Sequence, residues 1–82
     1  MYELEFSKTA EKQLHKLESD IQTRIMSTLE RIRIRPQHYV ERSVGNEYYK
    51  LRVGDHRVIL CILEHKLIIF VIEVGHKRNI YD

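Results

Sequence analysis

The chain has 82 residues, of which 43% are hydrophobic and 32% are charged, and its formal net charge at pH 7 is +2. This balance excludes a disordered chain, and the length predicts one domain over residues 1–82. No apolar run approaches the roughly 20 residues of a membrane helix. The single cysteine excludes an internal disulfide, and the acidic start is unlike a secretory signal, so we expect a cytoplasmic protein without membrane contact.

The first half of the chain predicts one strand and two helices. Apolar and acidic residues alternate over residues 2–6, as in a half-buried strand. Ser7 is placed to cap a helix over residues 8–18, and a capping-box pattern that starts at Ser19 predicts a second helix that ends just before Pro36. Because almost no linker separates the two helices, we expect an antiparallel helical hairpin.

The second half predicts a sheet. Residues 36–47, with the only proline, are predicted to be a surface loop, and three strands follow. Gly54-Asp55 has the pattern of a type II′ turn, and a three-residue break is predicted over residues 64–66. The fold is therefore predicted as α+β in the order β-α-α-β-β-β, with the hairpin on one face of a mostly antiparallel four-stranded sheet.

A two-residue turn at Gly54-Asp55 would place three cations on one face of the sheet. Arg52 then lies opposite Arg57, and Lys50 lies on the same face because side chains alternate along a strand. Like charges that face each other destabilise a sheet unless something compensates. The three-residue break puts Glu73 opposite Arg57 as an ion-pair partner. An anion-binding site and a solvated, ion-paired face both stay open.

The apolar residues of the strands divide between two faces. We expect the following residues to face the helices: Leu51, Val58, Leu60, Ile62, Ile68, Phe70 and Ile72. Ile59, Cys61, Ile69 and Val71 are expected to point away. An apolar patch beside cations indicates a covering partner protein, with self-association as the alternative.

The end of the chain adds more polar groups. Gly75 permits a turn, after which Lys77 or Arg78 and Tyr81 can reach the three cations if the segment bends back over the sheet. Guanidinium groups suit a phosphodiester, and a tyrosine can stack on a base or move a proton. Tyr81 could equally anchor the last residues to the sheet. The five histidines and the lone cysteine show no metal-ligand spacing, so no metal or cofactor is expected.

Two blocks carry a family resemblance: YKLRVGDHRVI at residues 49–59, and VGHKR at residues 74–78 followed by Tyr81. With the order of predicted elements, they resemble the RelE/ParE toxin superfamily, in particular archaeal RelE-type toxins. The resemblance implies the toxin of a type II toxin–antitoxin system, a metal-free mRNA endoribonuclease that acts in the ribosomal A site. In such enzymes the 2′-hydroxyl attacks the adjacent phosphate and leaves a cyclic phosphate.

Carried over by position, the resemblance implies two sets of site residues. The catalytic set is Lys50, Arg52, Arg57, Lys77 and Tyr81. The RNA-binding set is Lys50, Arg52, His76, Lys77 and Arg78. It stays open whether Lys77 or Arg78 corresponds to the basic active-site residue that the family has after the glycine.

The implied partners are a RelB-type antitoxin, in a heterotetramer with the toxin, and the ribosome with its mRNA. Two alternatives remain. One is a non-enzymatic toxin like the ParE branch, which shares the fold and poisons DNA gyrase. The other is a module that binds RNA without cutting it.

Overall fold

The computed structural model describes residues 1–80 and confirms the α+β fold. In chain order the elements are β1 (Glu3–Phe6), α1 (Lys8–His15), α2 (Ser19–Arg31), a 3₁₀ turn (Pro36–His38), β2 (Val40–Arg42), β3 (Tyr49–Val53), β4 (His56–Leu63) and β5 (Ile68–His76). The strands form one sheet in the order β1-β5-β4-β3-β2. β1 runs parallel to β5, and the other pairs are antiparallel.

The sheet has five strands rather than the predicted four. The extra strand is β2, which lies within residues 36–47, the predicted surface loop. Val40 pairs with Leu51 and packs against the core, and Glu41 pairs with Lys50, so burial and opposite charge both favour this edge strand. A strand of three residues is too short for its alternation to be recognised in the sequence.

Helix α1 begins where the sequence predicts. The Ser7 hydroxyl accepts a hydrogen bond from the Ala10 N–H at 3.0 Å and donates one to the Ile72 carbonyl at 2.7 Å. The cap therefore also fixes the helix to β5. Helix α1 ends at His15, three residues before the predicted end.

Helix α2 is also real, but its predicted cap is wrong. The N-cap is Glu18, whose side chain makes no capping hydrogen bond, and Ser19 is already helical. The Gln22 side chain, which a capping box would turn to the N-cap N–H, donates instead to the Leu17 carbonyl at 2.8 Å. This bond ties α2 to the connection from α1, and α2 ends at Arg31. No helix within residues 1–80 is long and apolar enough to cross a membrane.

Both helices lie on one face of the sheet, as predicted. The helices contribute Ala10, Leu14, Ile25, Leu29 and Ile32 to the core. The sheet contributes Leu51, Val53, Val58, Leu60, Ile69, Val71 and Val74. We call the other face, which no helix covers, the open face.

The predicted facing of β5 is wrong. Ile69 and Val71 are fully buried in the core, whereas Ile68, Phe70 and Ile72 are only half-buried. The connection from β4 has four residues rather than three, because it includes Leu67, whose φ is 54°. A shift of one residue moves every side chain of a strand to the other face.

Candidate active site

The turn between β3 and β4 gathers the predicted cations. Gly54 has a φ of 58° and Asp55 does not have a positive φ, as a type II′ turn requires. The register is as predicted, with Arg52 opposite Arg57 and Lys50 opposite Ile59. Lys50, Arg52 and Arg57 therefore share the open face, and we call these three residues the cationic cluster.

The predicted ion pair between Arg57 and Glu73 is wrong. The longer β4–β5 connection and a bulge in β5 place Glu73 opposite Ile59, and Arg57 opposite Gly75. The Arg57 Nη1 instead donates to the carbonyls of Gly54 and His56, each at 2.9 Å. Within residues 1–80, no carboxylate forms an ion pair with Arg52 or Arg57. Their facing charges are therefore left for an anion to compensate.

Lys50 is the buried member of the cluster, with 9% of its surface exposed. Its neighbours across the sheet are Glu41 and Ile59. A lysine this deep in a small sheet is uncommon, because an ammonium group loses much of its hydration on burial. Lys50 lies on β3, next to the edge strand β2, where burial reduces solvent screening of its charge.

Residues 77–80 bend back over the sheet. The Lys77 N–H donates to the Asp55 carbonyl at 2.8 Å, and its Nζ lies 3.5 Å from the Asp55 carboxylate in an exposed pair. Ile80 is buried, and its Cδ1 lies 3.1 Å from where a Cβ on Gly75 would be. Gly75 therefore provides the space that lets the segment close. The predicted catalytic Tyr81 lies outside the described residues.

His76 is not on the face of the cluster. His76 faces His56 across the sheet, with ring centroids 5.4 Å apart. His56 in turn pairs with Val53, which is buried on the helix side, so both histidines lie on the helix side of the sheet. The Nδ1 of His76 accepts a hydrogen bond from the Arg78 N–H at 3.2 Å. Partial burial, and then the charges of Arg78 and His56, lower the pKa of His76, so the ring is neutral at pH 7.

One further cation reaches the turn from the helix side. The Arg24 guanidinium packs against Gly54, with Nη1 2.9 Å from where a Cβ would be. Arg24 was not predicted as part of the site, because nothing in a helical sequence indicates which part of the sheet a given residue will contact. The turn therefore has cations on both of its sides.

A cleft of about 300 Å³ adjoins the cationic cluster on the open face. We call it the central cleft, and its lining includes Asn46, Tyr48, Ile59, Glu73, Asn79 and Ile80. It lies between the loop that precedes β3 and the bent-back end of the chain. A larger hollow of about 470 Å³ lies at the opposite end of β4, beside residues 64–66, and contains no member of the cluster.

Cys61 is half-buried on the open face opposite Phe70, rather than in the core. Burial, and then the negative charge of Glu47, raise the pKa of its thiol. The thiol is therefore protonated at neutral pH and is a poor nucleophile. Among residues 1–80, no group of three or more His, Cys, Asp and Glu side chains is arranged to hold a metal ion.

Several solved structures share this fold. The RelBE2 toxin–antitoxin complex from Mycobacterium tuberculosis includes a chain with 20% sequence identity and a TM-score of 0.85, over 92% of this chain and 96% of that chain. The intact Escherichia coli RelBE complex gives 26% identity and a TM-score of 0.78, over 93% and 96%. The RelB–RelE complex from Methanococcus jannaschii gives 25% and 0.74, over 95% of each chain. No curated protein matches the chain significantly.

The fold is that of a small toxin of the RelE/ParE superfamily. More specifically, residues 4–81 match the model of the family described as the ParE toxin of the type II toxin–antitoxin system parDE. The chain belongs to this family, and the predicted superfamily is confirmed.

Proposed function

We propose that this toxin inhibits translation as a ribosome-dependent, metal-free mRNA endoribonuclease. The observation that carries the proposal is the cationic cluster on the open face, where Arg52 and Arg57 face each other and neither forms an ion pair with a carboxylate within residues 1–80. Such a cluster is compensated by a phosphodiester, and an extended chain of phosphates fits an uncovered sheet face.

The proposed reaction is a transesterification at one phosphate of the message. The ribose 2′-oxygen bonds to phosphorus as the bond to the 5′-oxygen breaks, which gives a 2′,3′-cyclic phosphate and a 5′-hydroxyl. Arg57 and Arg52 contact the phosphate and stabilise the negative charge that builds up in the transition state. Lys50 adds a charge from a site of low solvent screening. Tyr81 is the proposed group for stacking on a base or moving a proton.

The position of Arg57 is suited to this role. Its Nη1 is held by two carbonyls of its own turn, so the guanidinium is fixed at the rim of the cluster before substrate arrives. A guanidinium has five N–H donors, and those on Nε and Nη2 remain to bind phosphate oxygens. A preorganised donor costs little reorganisation at the moment of reaction.

The remaining predicted site residues fit a supporting role. Lys77 lies beside the turn, His76 lies on the helix side of the sheet, and the Arg78 N–H donates to His76. We assign them to the RNA backbone away from the reacting phosphate. Lys77 and Arg78 supply charge there, whereas neutral His76 can only donate or accept a hydrogen bond.

The proposed protein partner is a RelB-type antitoxin, in a heterotetramer with the toxin. The structural neighbours from Escherichia coli and Methanococcus jannaschii are complexes of RelE with RelB. On the open face, Ile59, Cys61 and Phe70 form a half-buried apolar strip beside the cationic cluster. An amphipathic acidic segment would cover the strip and block the cluster at once. Hydrogen exchange tests this placement, because protection of the helical side alone would contradict it.

The second candidate function is inhibition of DNA gyrase without catalysis. The observation in its favour is the match to a family described by the name ParE. A gyrase inhibitor needs a protein-binding surface rather than a phosphate site, so its activity would not depend on the cationic cluster. This difference makes the two candidates separable by one set of variants.

Mapping mRNA ends after brief expression of the toxin tests the proposal. We expect new 5′-hydroxyl ends within translated codons, and no such ends when Arg57→Ala is expressed. Arg31→Ala, which removes an exposed arginine at the far end of α2, is the matched control and should cut like the wild type. Intact mRNA together with loss of supercoiling by purified gyrase would instead establish the second candidate.

A further inference from the structure

We propose that the free toxin associates with a second copy of itself through the open face, in a dimer that covers the cationic cluster. The inference goes beyond the proposed function, because the contact between the two copies does not depend on catalysis. Three features of the open face carry it: an acidic edge, the apolar strip and the cationic cluster.

The acidic edge consists of Glu3 and Glu5 on β1, a strand at the edge of the sheet. Glu3 pairs with Ile68 and Glu5 pairs with Phe70, so both glutamates share the open face with these half-buried residues. Both are exposed, and neither carboxylate forms an ion pair within residues 1–80. The open face therefore carries two anions at β1 and, diagonally across it, the cations at the β3–β4 turn.

The apolar strip of Ile59, Cys61 and Phe70 lies between these opposite charges. Cys61 pairs with Phe70, and Ile59 lies two residues from Cys61 along β4, so the three side chains form a continuous half-buried patch. An apolar centre with a charged rim is the usual composition of a protein–protein interface.

This arrangement is complementary to itself about a two-fold axis. In a symmetric dimer the same patch of both copies meets, and each residue on one side of the axis contacts a residue from the other side. Glu5 lies two strands from Cys61, about 10 Å across the sheet, and Arg57 lies four residues from Cys61, about 13 Å along β4. An axis that crosses Cys61 obliquely to the strands separates Glu5 from Arg57. Rotation about it places Glu5 of each copy over Arg57 of the other.

The same rotation matches the rest of the face. It places Glu3 over Arg52 of the second copy, so both facing arginines gain a carboxylate. It also places Phe70 over Ile59 of the second copy, so apolar groups meet at the centre. Every contact occurs twice in the dimer, and a phosphate chain has no access to the cluster while the dimer persists.

Glu73 is the one open-face charge that opposes this contact. It lies opposite Ile59, one strand away from β4, which is close to the axis. The two copies of its carboxylate therefore approach each other, and like charges repel. Glu73→Gln should tighten the dimer about threefold or more. A non-specific association of cationic chains would weaken instead, because this change makes the net charge of +2 more positive.

Sedimentation of the free toxin over a range of concentrations tests the inference. We expect a reversible monomer–dimer equilibrium that weakens as NaCl is added, because salt screens the charges of the rim. Glu5→Lys should raise the dimer dissociation constant about tenfold or more, because the dimer loses the contact twice. Glu11→Lys makes the same charge change at an exposed position of α1 on the helix side. This matched control should change the constant about twofold or less.

A charge exchange tests the pairing itself. Arg57→Glu alone should weaken the dimer as Glu5→Lys does. The double variant Glu5→Arg, Arg57→Glu exchanges the two charges and should restore the dissociation constant to within about threefold of the wild type. Thermal unfolding shows that each variant is folded.

Cys61, the only cysteine of the chain, reports the position of the axis. Sheets that pack face to face lie about 10 Å apart, so the two Cys61 Cα atoms are too far apart for a disulfide. A short bismaleimide should nevertheless join them, and the yield of cross-linked dimer should fall in Glu5→Lys and not in Glu11→Lys.

The outcomes separate the dimer from the proposed function. Monomers at every concentration, or dimers that neither weaken in Glu5→Lys nor cross-link through Cys61, overturn the inference. Under the proposed function a short single-stranded RNA should dissociate the dimer, because both need the cationic cluster. A dimer that excess RNA leaves intact contradicts the RNA site and retains the dimer. Cleavage of mRNA by a toxin that never dimerises does the reverse.

Discussion

Three features of Arg57 favour a role in binding phosphate: its position in the hairpin register, the hydrogen bonds of its guanidinium and the proposed chemistry. The residue faces a second arginine, yet its guanidinium is fixed by two backbone carbonyls rather than by an acid. A structural arginine would normally be neutralised. The arrangement keeps a full positive charge in a fixed direction, which is what a developing phosphorane requires.

Arg57→Ala should abolish mRNA cleavage and growth inhibition while the protein stays folded. The loss of a preorganised contact of this kind costs about 2–4 kcal/mol, or roughly a hundredfold or more in rate. Loss of the hydrogen bonds to the turn is offset in part by relief of the repulsion with Arg52. Single-turnover cleavage of ribosome-bound mRNA measures the rate, and thermal unfolding measures the fold.

Arg57→Lys should recover part of the activity, since an ammonium restores the charge but not the planar pair of donors. Arg31→Ala again serves as the control. Wild-type cleavage by a well-folded Arg57→Ala variant would show that the cluster is not the active site.

His76 predicts a pH dependence of stability. Partial burial and the neighbouring cations lower its pKa in the folded state below the ordinary value of 6.5. Between these two values the unfolded chain binds more protons, so stability should fall as the pH drops through 6.5 and level off below the folded-state pKa. Urea unfolding between pH 8 and pH 5 measures this loss.

His76→Asn should reduce the loss of stability at low pH. His38→Asn, which changes an exposed histidine away from the turn, is the matched control and should retain the wild-type dependence. Equal pH dependence in wild type and His76→Asn would contradict the assignment.

At the scale of elements, the β3–β4 turn depends on Gly54 for two reasons. Its φ of 58° strains any other residue, and a side chain there would also displace the Arg24 guanidinium, at the lesser cost of moving the end of a flexible side chain. Gly54→Ala should destabilise the protein by about 1–3 kcal/mol. Gly45 has a φ of 83°, but a Cβ there would meet nothing within 4 Å. Gly45→Ala therefore tests backbone strain alone, and it should lower the free energy of unfolding less than Gly54→Ala does. Equal unfolding midpoints for the two variants would show that the Arg24 contact is irrelevant.

The elements that could be predicted are those set by residues close together in the chain. The Ser7 cap, the two helices and the Gly54 turn depend on local chemistry, and all of them were predicted. The facing of β5 depended on one loop residue, Leu67, which adopts a positive φ without being glycine or asparagine. Nothing in the sequence near it signals that conformation.

For the same reason, the cationic cluster could be predicted and the central cleft could not. The cationic cluster follows from one two-residue turn, so its register could be derived. The central cleft joins the loop before β3, the middle of β4 and the bent-back end of the chain. Its composition depends on tertiary packing and on the bulge that turns Glu73 toward Ile59, and no local pattern reports either.

For the molecule as a whole, we expect a small free energy of unfolding, because a chain of 82 residues buries only a modest core. Leu29 is fully buried between the helices and the sheet. Leu29→Ala should cost about 2–5 kcal/mol, enough to leave a large unfolded fraction at 37 °C. Ile34→Ala, at a position 67% exposed, should change stability by about 0.5 kcal/mol or less. Urea denaturation of both variants measures the difference.

The first strand of this sheet has no partner until the last strand exists. β1 lies parallel to β5, and the Ser7 hydroxyl donates to the carbonyl of Ile72, 65 residues later in the chain. During synthesis the N-terminal residues emerge first, so a nascent chain cannot close its sheet or assemble the Gly75 side of the site until β5 has left the ribosome. Under the proposed function, the toxin is therefore harmless to the ribosome that makes it until β5 has left the exit tunnel and paired with β1.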